Sequence, residues 1–260
     1  MTDTMIRTIA DEIANAAPFD AHTPETGARS IPEAYALQDA LAAHLTARGM
    51  RGPVAGYKIA ANSPALMAHF GVSEPASGRV FADQCHDSGA HLSAGGFHSF
   101  AYEPEIAAIM GARLGAEDAP FSRETVAAAI DRMVPALELI DLRGANPPEL
   151  ALADVIAQNI TNAGAVIGGP GVTPEALDPA RVHTAVTIDN APELSVVGAA
   201  PQDPLEAVHW LANHVARRGL SLDAGQIVLC GTHAPIRPVS GRAAIEVTMS
   251  GLGTVSVTLT

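Results

Sequence analysis

The sequence has few of the residues that build disulfide scaffolds or aromatic-rich cores. Its 260 residues include two cysteines, and aromatic side chains make up 4% of the chain. Cys85 and Cys230 are too few for a disulfide framework and do not form a C-x-x-C pair, so we expect two buried or half-buried free thiols. The core must therefore be built mainly from alanine, valine, leucine and isoleucine.

Positive charge is also scarce, and its scarcity excludes whole classes of partner. The 15 Lys and Arg residues face 28 Asp and Glu residues, which gives a formal net charge of −13. Nucleic acid and anionic membranes require a basic surface, so we expect neither as a partner. The sequence has no apolar run of about 18 to 20 residues, the length that spans a bilayer, and its acidic N-terminus does not look like a secretion signal. These absences predict a cytoplasmic protein.

The hydrophobic pattern changes along the chain from helical to strand-like. Apolar residues recur at helical spacing over residues 2–17, and a second helix is predicted over residues 32–48, with Gly49 after its end. From residue 51 onward, strand-like segments with interspersed helices predominate. The sequence therefore predicts a mixed α+β fold, with a small helical N-terminal region over residues 1–50 and a β-rich catalytic domain over residues 51–260.

Several local segments of the β-rich part carry specific expectations. The segment "VAGYKIA" (residues 54–60) is typical of a strand, and a short helix follows it, with Ser63 as its N-cap and Gly71 at its end. A helix is predicted near residues 122–133, followed by a strand through "VPALELIDLR". No G-x-G-x-x-G motif follows the first strand, which disfavours a doubly wound nucleotide-binding sheet.

The segment "FAYEPEIAAIM" (residues 100–110) places two carboxylates in an otherwise apolar strand. Glu103 and Glu105 are two residues apart, so they project from the same face of that strand. Two unit charges about 6.6 Å apart repel by roughly 2 to 3 kcal/mol at an effective dielectric near 20. A divalent cation such as Mg²⁺ or Mn²⁺ would compensate this repulsion, because carboxylate oxygens are its preferred ligands. The alternative is a solvated strand face, which antiparallel sheets commonly have.

Three further residues are candidates for chemistry. Glu138 lies between two leucines in "PALELID", where it is either a third metal ligand or a surface or salt-bridged carboxylate. Lys58 is the only lysine of the chain, and a desolvated lysine, unlike an arginine, readily loses its proton. The ten histidines show no H-x-x-x-H pair and are expected mostly at the surface or in loops, but His233 follows a predicted strand, where site residues often lie.

The order of several motifs resembles one family over nearly the whole chain. The motifs are "GYKIAANSPALMAHFGVSEP", "YEPEIAAIM", "PALELIDLR", "DVIAQN", "PLEAVHWLANHV", "AGQIVLCG" and "GLGTVSV". In this order they resemble the 2-keto-4-pentenoate hydratase and 4-oxalocrotonate decarboxylase branch of the fumarylacetoacetate hydrolase superfamily. The resemblance implies a fumarylacetoacetate-hydrolase-like, β-rich body with a small helical N-terminal region, assembled as a homo-oligomer.

The resemblance also implies a set of site residues. Three residues match the family's ligands for Mg²⁺ or Mn²⁺: Glu103, Glu105 and Glu138. Three residues are implied to bind substrate: Ser63, Gln158 and Asn159. Lys58 matches the family's active-site lysine and is implied to be catalytic. His233 or His98 is a candidate for proton transfer, because Ala76 and Ser77 stand where hydratases of this family carry an acidic active-site residue in a P-D-Y-G motif.

The implied chemistry is that of a metal-dependent lyase acting on a small 2-oxo acid. The substrate would chelate the metal through its C1 carboxylate and C2 oxygen, the metal would stabilise the enolate, and Lys58 would exchange protons with the substrate or hold its carboxylate. The leading prediction is hydration of a 2-hydroxypenta-2,4-dienoate-like acid. The alternatives are decarboxylation of a 2-oxo-enedioate of the 4-oxalocrotonate type, C–C hydrolysis of an acylpyruvate, and a non-catalytic accessory role in a lyase complex.

Overall fold

The computed structural model describes residues 3–22 and 30–260, and two β-sheets form most of it. Six α-helices lie in the described residues: α1 (Asp3–Ala14), α2 (Ile31–Ala47), α3 (Pro64–Phe70), α4 (Arg123–Ala129), α5 (Leu152–Ala157) and α6 (Pro204–Ala216). None of these helices combines the length and the apolar character that a membrane-spanning helix needs.

The strands of the described residues follow in chain order: β1 (Val54–Ala60), β2 (Ala76–Phe81), β3 (Cys85–Asp87), β4 (Ala90–Leu92), β5 (Phe100–Met110), β6 (Ile130–Asp141), β7 (Asn162–Ile167), β8 (Gly169–Pro170), β9 (His183–Ile188), β10 (Ala191–Val197), β11 (Ile227–Thr232), β12 (Arg237–Pro238), β13 (Ala243–Met249) and β14 (Gly253–Leu259). This mixture of sheets and helices confirms the predicted α+β class. Both cysteines are free, as expected, with Cys230 buried and Cys85 partly buried.

The larger sheet has eight strands and curls upon itself. Its order is β2-β1-β11-β5-β6-β7-β3, with β12 paired to β5. Strand β2, at one end of this order, contacts β7 near the other end, so the sheet encloses an inner face. Small and medium apolar side chains fill part of that inner face: Val80, Ala107, Val134, Ala136, Ala165, Ile227 and Leu229. Small residues suit this position because a strongly curled sheet leaves little space on its concave side.

The smaller sheet covers the outer face of the larger one. Its order is β10-β9-β13-β14-β4, with β8 paired to β14. Burial alternates strictly along β13, where Ile245 and Val247 face inward and Glu246 is exposed. This period of two is typical of a sheet with one buried face. The inward side chains join Tyr102 and Ile106 of β5 in the main hydrophobic core between the sheets.

The N-terminal helices form a second core against α5 and the ends of β2. Ile9 of α1 and Leu41 of α2 pack with Val155 and Ile156 of α5. Ser30 is the N-cap of helix α2, and its side chain accepts a hydrogen bond from the Glu33 N–H at 3.3 Å. Residues 1–2 and 23–29 of the predicted helical region lie outside the described residues, and the division of the chain into two domains at residue 50 stays a prediction.

Most local predictions agree with the structure, and one helix is shorter than predicted. The strand over residues 54–60 and the short helix capped by Ser63 and ended by Gly71 are confirmed. The helix predicted near residues 122–133 ends at Ala129, because Ile130 already pairs with Met110 as the first residue of β6. Pairing with β5 here overrides a helical pattern that is only a weak local preference.

Candidate metal centre

Strands β5 and β6 bring three glutamates together on the inner face of the larger sheet. Glu103 and Glu138 are directly opposite each other in the β5–β6 ladder, and Glu105 is two residues further along β5. One carboxylate oxygen from each residue lies within 4.8 Å of the other two. Glu105 and Glu138 are completely buried, and Glu103 keeps 9% of its exposure. This burial contradicts the alternative of a solvated strand face.

Backbone and side-chain donors hold two of the glutamates in place. The Gly231 N–H donates to Glu105 Oε2 at 2.7 Å, and Asn162 Nδ2 donates to Glu138 Oε1 at 2.9 Å. Gly231 has a φ of 112°, and a Cβ at this position would lie 2.6 Å from Asn62 Nδ2. Only glycine fits this backbone, so the donor to Glu105 depends on the residue type at position 231.

Lys58 completes the cluster from strand β1. Its Nζ lies 3.0 Å from Glu138 Oε1, and the residue is 4% exposed. The neighbouring Gly78 leaves room for the lysine stem, since a Cβ there would lie 3.3 Å from Lys58 Cγ and 3.0 Å from the Asn159 carbonyl oxygen. Burial lowers the pKa of Lys58, but the glutamates, above all Glu138, outweigh burial and raise the pKa above its ordinary value.

The charges of this cluster do not balance within the protein. Three carboxylates face one ammonium group, and burial together with repulsion from Glu138 raises the pKa of Glu103 to about 8. The pKa of Glu105 is also raised well above its ordinary value, first by burial and then by repulsion from Glu138 and Glu103. Glu105 Oε1 and Glu138 Oε2 are buried and have no hydrogen-bond partner. A buried acceptor without a partner costs about 1 to 3 kcal/mol.

A divalent cation fits this donor set. Three converging carboxylates supply the hard oxygen ligands that Mg²⁺ and Mn²⁺ prefer, and two of their oxygens are otherwise unsatisfied. A cation would also remove the repulsion that raises the pKa values of the carboxyl groups. The observed geometry is therefore what the prediction of a metal site from Glu103, Glu105 and Glu138 requires.

The two candidate histidines lie elsewhere. His233 is 5% exposed, and its Nδ1 lies 2.8 Å from the hydroxyl of Thr184, which belongs to the smaller sheet. Burial lowers the pKa of His233 to about 4, so it is neutral at pH 7. His98 is exposed, and its backbone N–H donates to Asp141. In the described residues, no hydrogen bond or ion pair joins either side chain to the glutamates, and their predicted role in proton transfer stays a prediction.

The three predicted substrate-binding residues have structural partners. Ser63 caps α3 by accepting from the Leu66 N–H at 3.2 Å. The amide of Asn159 bonds both backbone groups of Arg79, with its Oδ1 accepting at 2.6 Å and its Nδ2 donating at 2.8 Å. Gln158 Oε1 accepts from Arg143 Nη2, and Gln158 Nε2 donates to the carbonyl of Asp20. Their assignment to substrate binding stays a prediction.

Sequence reasoning missed two residues that orient the glutamates. Asn162 begins β7 and bonds Glu138, while the Gly231 N–H bonds Glu105 from the end of β11. The residues lie far from their partners in sequence, so no spacing pattern indicates either contact. The positive φ of Gly231 has only a weak sequence signal, a glycine inside a predicted strand.

Comparison with known proteins gives a consistent set of similarities. The family model described as fumarylacetoacetate hydrolase, C-terminal, matches residues 76–260. A 4-oxalocrotonate decarboxylase from a Pseudomonas species is 30% identical over 259 residues, which is 98% of this chain and 98% of that protein. A 2-keto-4-pentenoate hydratase from Paraburkholderia xenovorans is 30% identical over 227 residues, which is 87% of this chain and 82% of that protein.

Similarity to a solved structure extends over the whole chain. The 4-oxalocrotonate decarboxylase from Pseudomonas putida, complexed with magnesium and adipate, superposes with a TM-score of 0.87 at 27% sequence identity. The alignment covers 100% of this chain and 99% of that chain. This similarity confirms the predicted β-rich fold with a helical N-terminal region.

Proposed function

Because the chain belongs to the fumarylacetoacetate hydrolase family, we propose that it is a divalent-metal-dependent lyase acting on a small 2-oxo or 2-hydroxy-dienoic acid. The observation that carries the proposal is the buried cluster of Glu103, Glu105 and Glu138 beside Lys58. Relatives that are named hydratases and decarboxylases, which are lyases, support this reaction class.

Each residue of the cluster has a defined task in this proposal. Glu103, Glu105 and Glu138 would hold the cation, with Mg²⁺ as the leading candidate and Mn²⁺ as the alternative. When bound, the cation supplies Lewis-acid chemistry to the carbonyl oxygen of a 2-oxo acid. Asn162 and the Gly231 N–H keep two carboxylates oriented, a function that supporting residues have in many metal sites.

Lys58 is the group that holds and moves a proton. The carboxylates keep its Nζ protonated in a buried site, so the ammonium group can donate a proton to a substrate carbon and accept one in return. Its charge also allows Lys58 to hold a substrate carboxylate. In the described residues, Lys58 is the only cationic side chain that pairs with the glutamate cluster.

Hydration of a 2-hydroxypenta-2,4-dienoate-like acid is the leading reaction. Decarboxylation of a 2-oxo-enedioate is the second candidate, and it is supported by the similarity to a 4-oxalocrotonate decarboxylase over 98% of both chains. In both reactions the same three carboxylates and Lys58 would serve a 2-oxo acid and its enol. The homo-oligomeric state implied by the resemblance and the cytoplasmic location predicted from the composition stay predictions.

The test is turnover by the purified protein. The protein is incubated with Mg²⁺ and either 2-hydroxypenta-2,4-dienoate or 2-oxohex-3-enedioate, and the products are followed by proton NMR and by CO₂ release. We expect water addition to the dienoate, and CO₂ release from the enedioate identifies the second candidate. If purified protein with confirmed metal binding converts neither acid, the proposed function is wrong, and turnover without a partner protein excludes a purely accessory role.

A further inference from the structure

Asn62 lies just beyond strand β1 and binds the backbone of strand β11. The residue is 6% exposed, and its Nδ2 donates to the carbonyl oxygen of Cys230 at 2.9 Å and to Gln202 Oε1 at 3.4 Å. Both hydrogens of the amide nitrogen therefore have acceptors. The residue before it, Ala61, has a φ of 54°, a conformation that residues other than glycine rarely adopt. This turn ends β1 and brings the Asn62 side chain to β11.

The acceptor of Asn62 belongs to the same peptide group as the donor to Glu105. The carbonyl of this group, from Cys230, accepts from the Asn62 amide. Its N–H, from Gly231, donates to Glu105 Oε2 at 2.7 Å. The group is not among the cis peptide bonds of the described residues, and in a planar trans peptide the C=O and the N–H point in opposite directions. A partner that fixes the carbonyl therefore also fixes the direction of the N–H.

The peptide group lies at an irregular point of the larger sheet. The pairing of β11 with β1 ends at Leu229 and Lys58, and its pairing with β5 shifts register between Leu229 and Thr232. A register shift of this kind interrupts the ladder and leaves backbone groups to find other partners. Here the other partners are side chains, so the orientation of the peptide group depends on them.

Gly231 makes this dependence strong. Its φ is 112°, and without a side chain the residue imposes little resistance to rotation of the preceding peptide group. The Asn62 amide packs against the face where a Cβ would point, 2.6 Å from Nδ2 and 2.8 Å from Oδ1. Without Asn62 the group would be free to turn its carbonyl oxygen, a second negative dipole end, toward Glu105. Asn62 therefore locks the orientation that presents the N–H.

The locked N–H determines how Glu105 is offered to a cation. It engages Oε2, and Oε1 is the oxygen that is buried without a partner. A donor to the peptide carbonyl also polarises the group and strengthens its N–H, and a bond from that N–H to a carboxylate is charge-assisted. Residues that orient a metal ligand in this way typically contribute 10- to 100-fold to metal affinity.

We propose that Asn62 is a positioning residue for Glu105: through the Cys230–Gly231 peptide group it sets the orientation of this carboxylate and thereby the affinity of the site for a divalent cation. The role of Glu105 as a ligand rests on the proposed function. In the described residues, Asn62 forms no hydrogen bond with a glutamate of the cluster, so it acts through the peptide group. Asn62 follows Lys58 by four residues, so one segment of chain carries the lysine and fixes a ligand.

The first test measures Mg²⁺ binding by calorimetry. Asn62→Leu removes the amide donor at similar volume, and Asn62→Ala removes it without added bulk. Asn213→Leu is the matched control, because the Asn213 amide in α6 likewise donates to a backbone carbonyl, that of Phe121, at 3.1 Å. We expect the Kd for Mg²⁺ to rise roughly 10- to 100-fold in both Asn62 variants and less than about 3-fold in the control. Thermal unfolding of each variant distinguishes this effect from a general loss of stability. Unchanged Mg²⁺ affinity in the Asn62 variants would overturn the inference.

The second test observes the peptide group itself, in the absence of metal. Only one cysteine of the chain is followed by glycine, so the Cys230–Gly231 peptide is the only one of its kind. Protein with ¹³C at the cysteine carbonyl and ¹⁵N in glycine therefore gives one signal in a carbonyl-correlated amide NMR spectrum. We expect Asn62→Ala to move the Gly231 proton signal upfield and to accelerate its solvent exchange roughly 3- to 10-fold, and Asn213→Leu to leave both unchanged. An unaltered Gly231 signal in Asn62→Ala contradicts the hold on the peptide group.

The outcomes separate this inference from the proposed function. If the Asn62 variants lose Mg²⁺ affinity but the unmodified protein converts neither of the two acids, the proposed function fails and the positioning role stands. If the unmodified protein converts one of the acids and the Asn62 variants bind Mg²⁺ as tightly as it does, the positioning role is wrong and the proposed function stands. If the unmodified protein binds no divalent cation, both are wrong.

Discussion

Buried polar groups lie against both faces of strand β5, and their surroundings differ. On the inner face, Glu103 and Glu105 meet Glu138 and Lys58 inside the curled sheet. On the outer face, Tyr102 and Ile106 enter the apolar core between the sheets. On this side His233 forms a hydrogen bond with the hydroxyl of Thr184. Both faces belong to the same strand, so the difference in charge arises from the residues that each face contacts.

Burial of polar groups does not by itself indicate a functional site. His233 is as buried as Lys58, but a single neutral partner satisfies one of its ring nitrogens and no charge accumulates. On the inner face, like charges converge and raise the pKa values of Glu103 and Glu105, and the imbalance can be resolved only by protons or by a cation. The convergence of unsatisfied charge distinguishes the inner face.

The largest effect is expected when the inner face loses one carboxylate. In Glu105→Gln the shape is kept but a hard anionic ligand is lost, so we expect Mg²⁺ affinity to fall more than about 100-fold and turnover to disappear. Calorimetry with Mg²⁺ and Mn²⁺ and the substrate assay check this. Glu246→Gln, on the exposed face of β13, is the matched control and should change neither quantity. Full activity of Glu105→Gln would contradict a role of Glu105 as ligand.

Replacement of the only lysine distinguishes a role of its positive charge from a role in proton transfer. We expect Lys58→Met to reduce kcat by roughly 10²- to 10⁴-fold, because the three carboxylates of the cluster would be engaged as metal ligands and could not donate a proton in its place, while metal affinity changes less than kcat. Lys58→Arg keeps the charge but a guanidinium does not release its proton. Equal loss in both variants indicates proton transfer by Lys58, and high activity of Lys58→Arg indicates that it only holds a substrate carboxylate.

Without metal, the inner face should make the protein less stable as pH rises. Glu103 has an ordinary pKa of 4.5 and a pKa of about 8 in the folded protein, so the folded state binds more protons than the unfolded state between these values. The associated stability is present below about pH 4.5 and is lost as the pH rises through 8. We expect the thermal midpoint in EDTA to fall by at least about 3 °C between pH 5.5 and 8.5. Excess Mg²⁺ should reverse the trend, and a pH-independent midpoint in EDTA would contradict the charge imbalance.

The smallest effect on catalysis is expected on the outer face. His233→Ala removes a buried hydrogen bond to Thr184, so we expect a loss of about 1 to 3 kcal/mol in the free energy of unfolding and a change in kcat below about 3-fold. Thr184→Val removes the same hydrogen bond from the other side and should lower stability similarly. If His233→Ala loses more than about 10-fold in kcat at unchanged stability, the histidine has the catalytic role that the sequence suggests.

The sequence predicts the parts of the site that depend on local pattern. A period of two places Glu103 and Glu105 on one face, and the apolar neighbours of Glu138 indicate a buried strand. The convergence of these residues with Lys58 depends on strand order and on the curl of the sheet, because two strands, β11 and β5, lie between β1 and β6 in the sheet order. Such long-range pairing has no local signal.

The same limit explains what sequence reasoning could not find. Asn162 and Gly231 act on the glutamates only after β7 and β11 have paired with their neighbours. The hydrogen bond from Asn62 to the β11 backbone is likewise a property of the tertiary structure. In β6, pairing of Ile130 with Met110 ended a predicted helix early, which shows that ladder formation outweighs a weak helical preference.

The burial of the only lysine gives the folded protein an unusual response to amine-reactive reagents. Apart from the α-amino group of the chain, Lys58 carries the only aliphatic amine, and in the folded state it is enclosed and paired with Glu138. An acylating reagent at neutral pH therefore labels Lys58 only when the inner face opens. The mass of the labelled protein thus records the integrity of this face directly, without an added reporter group.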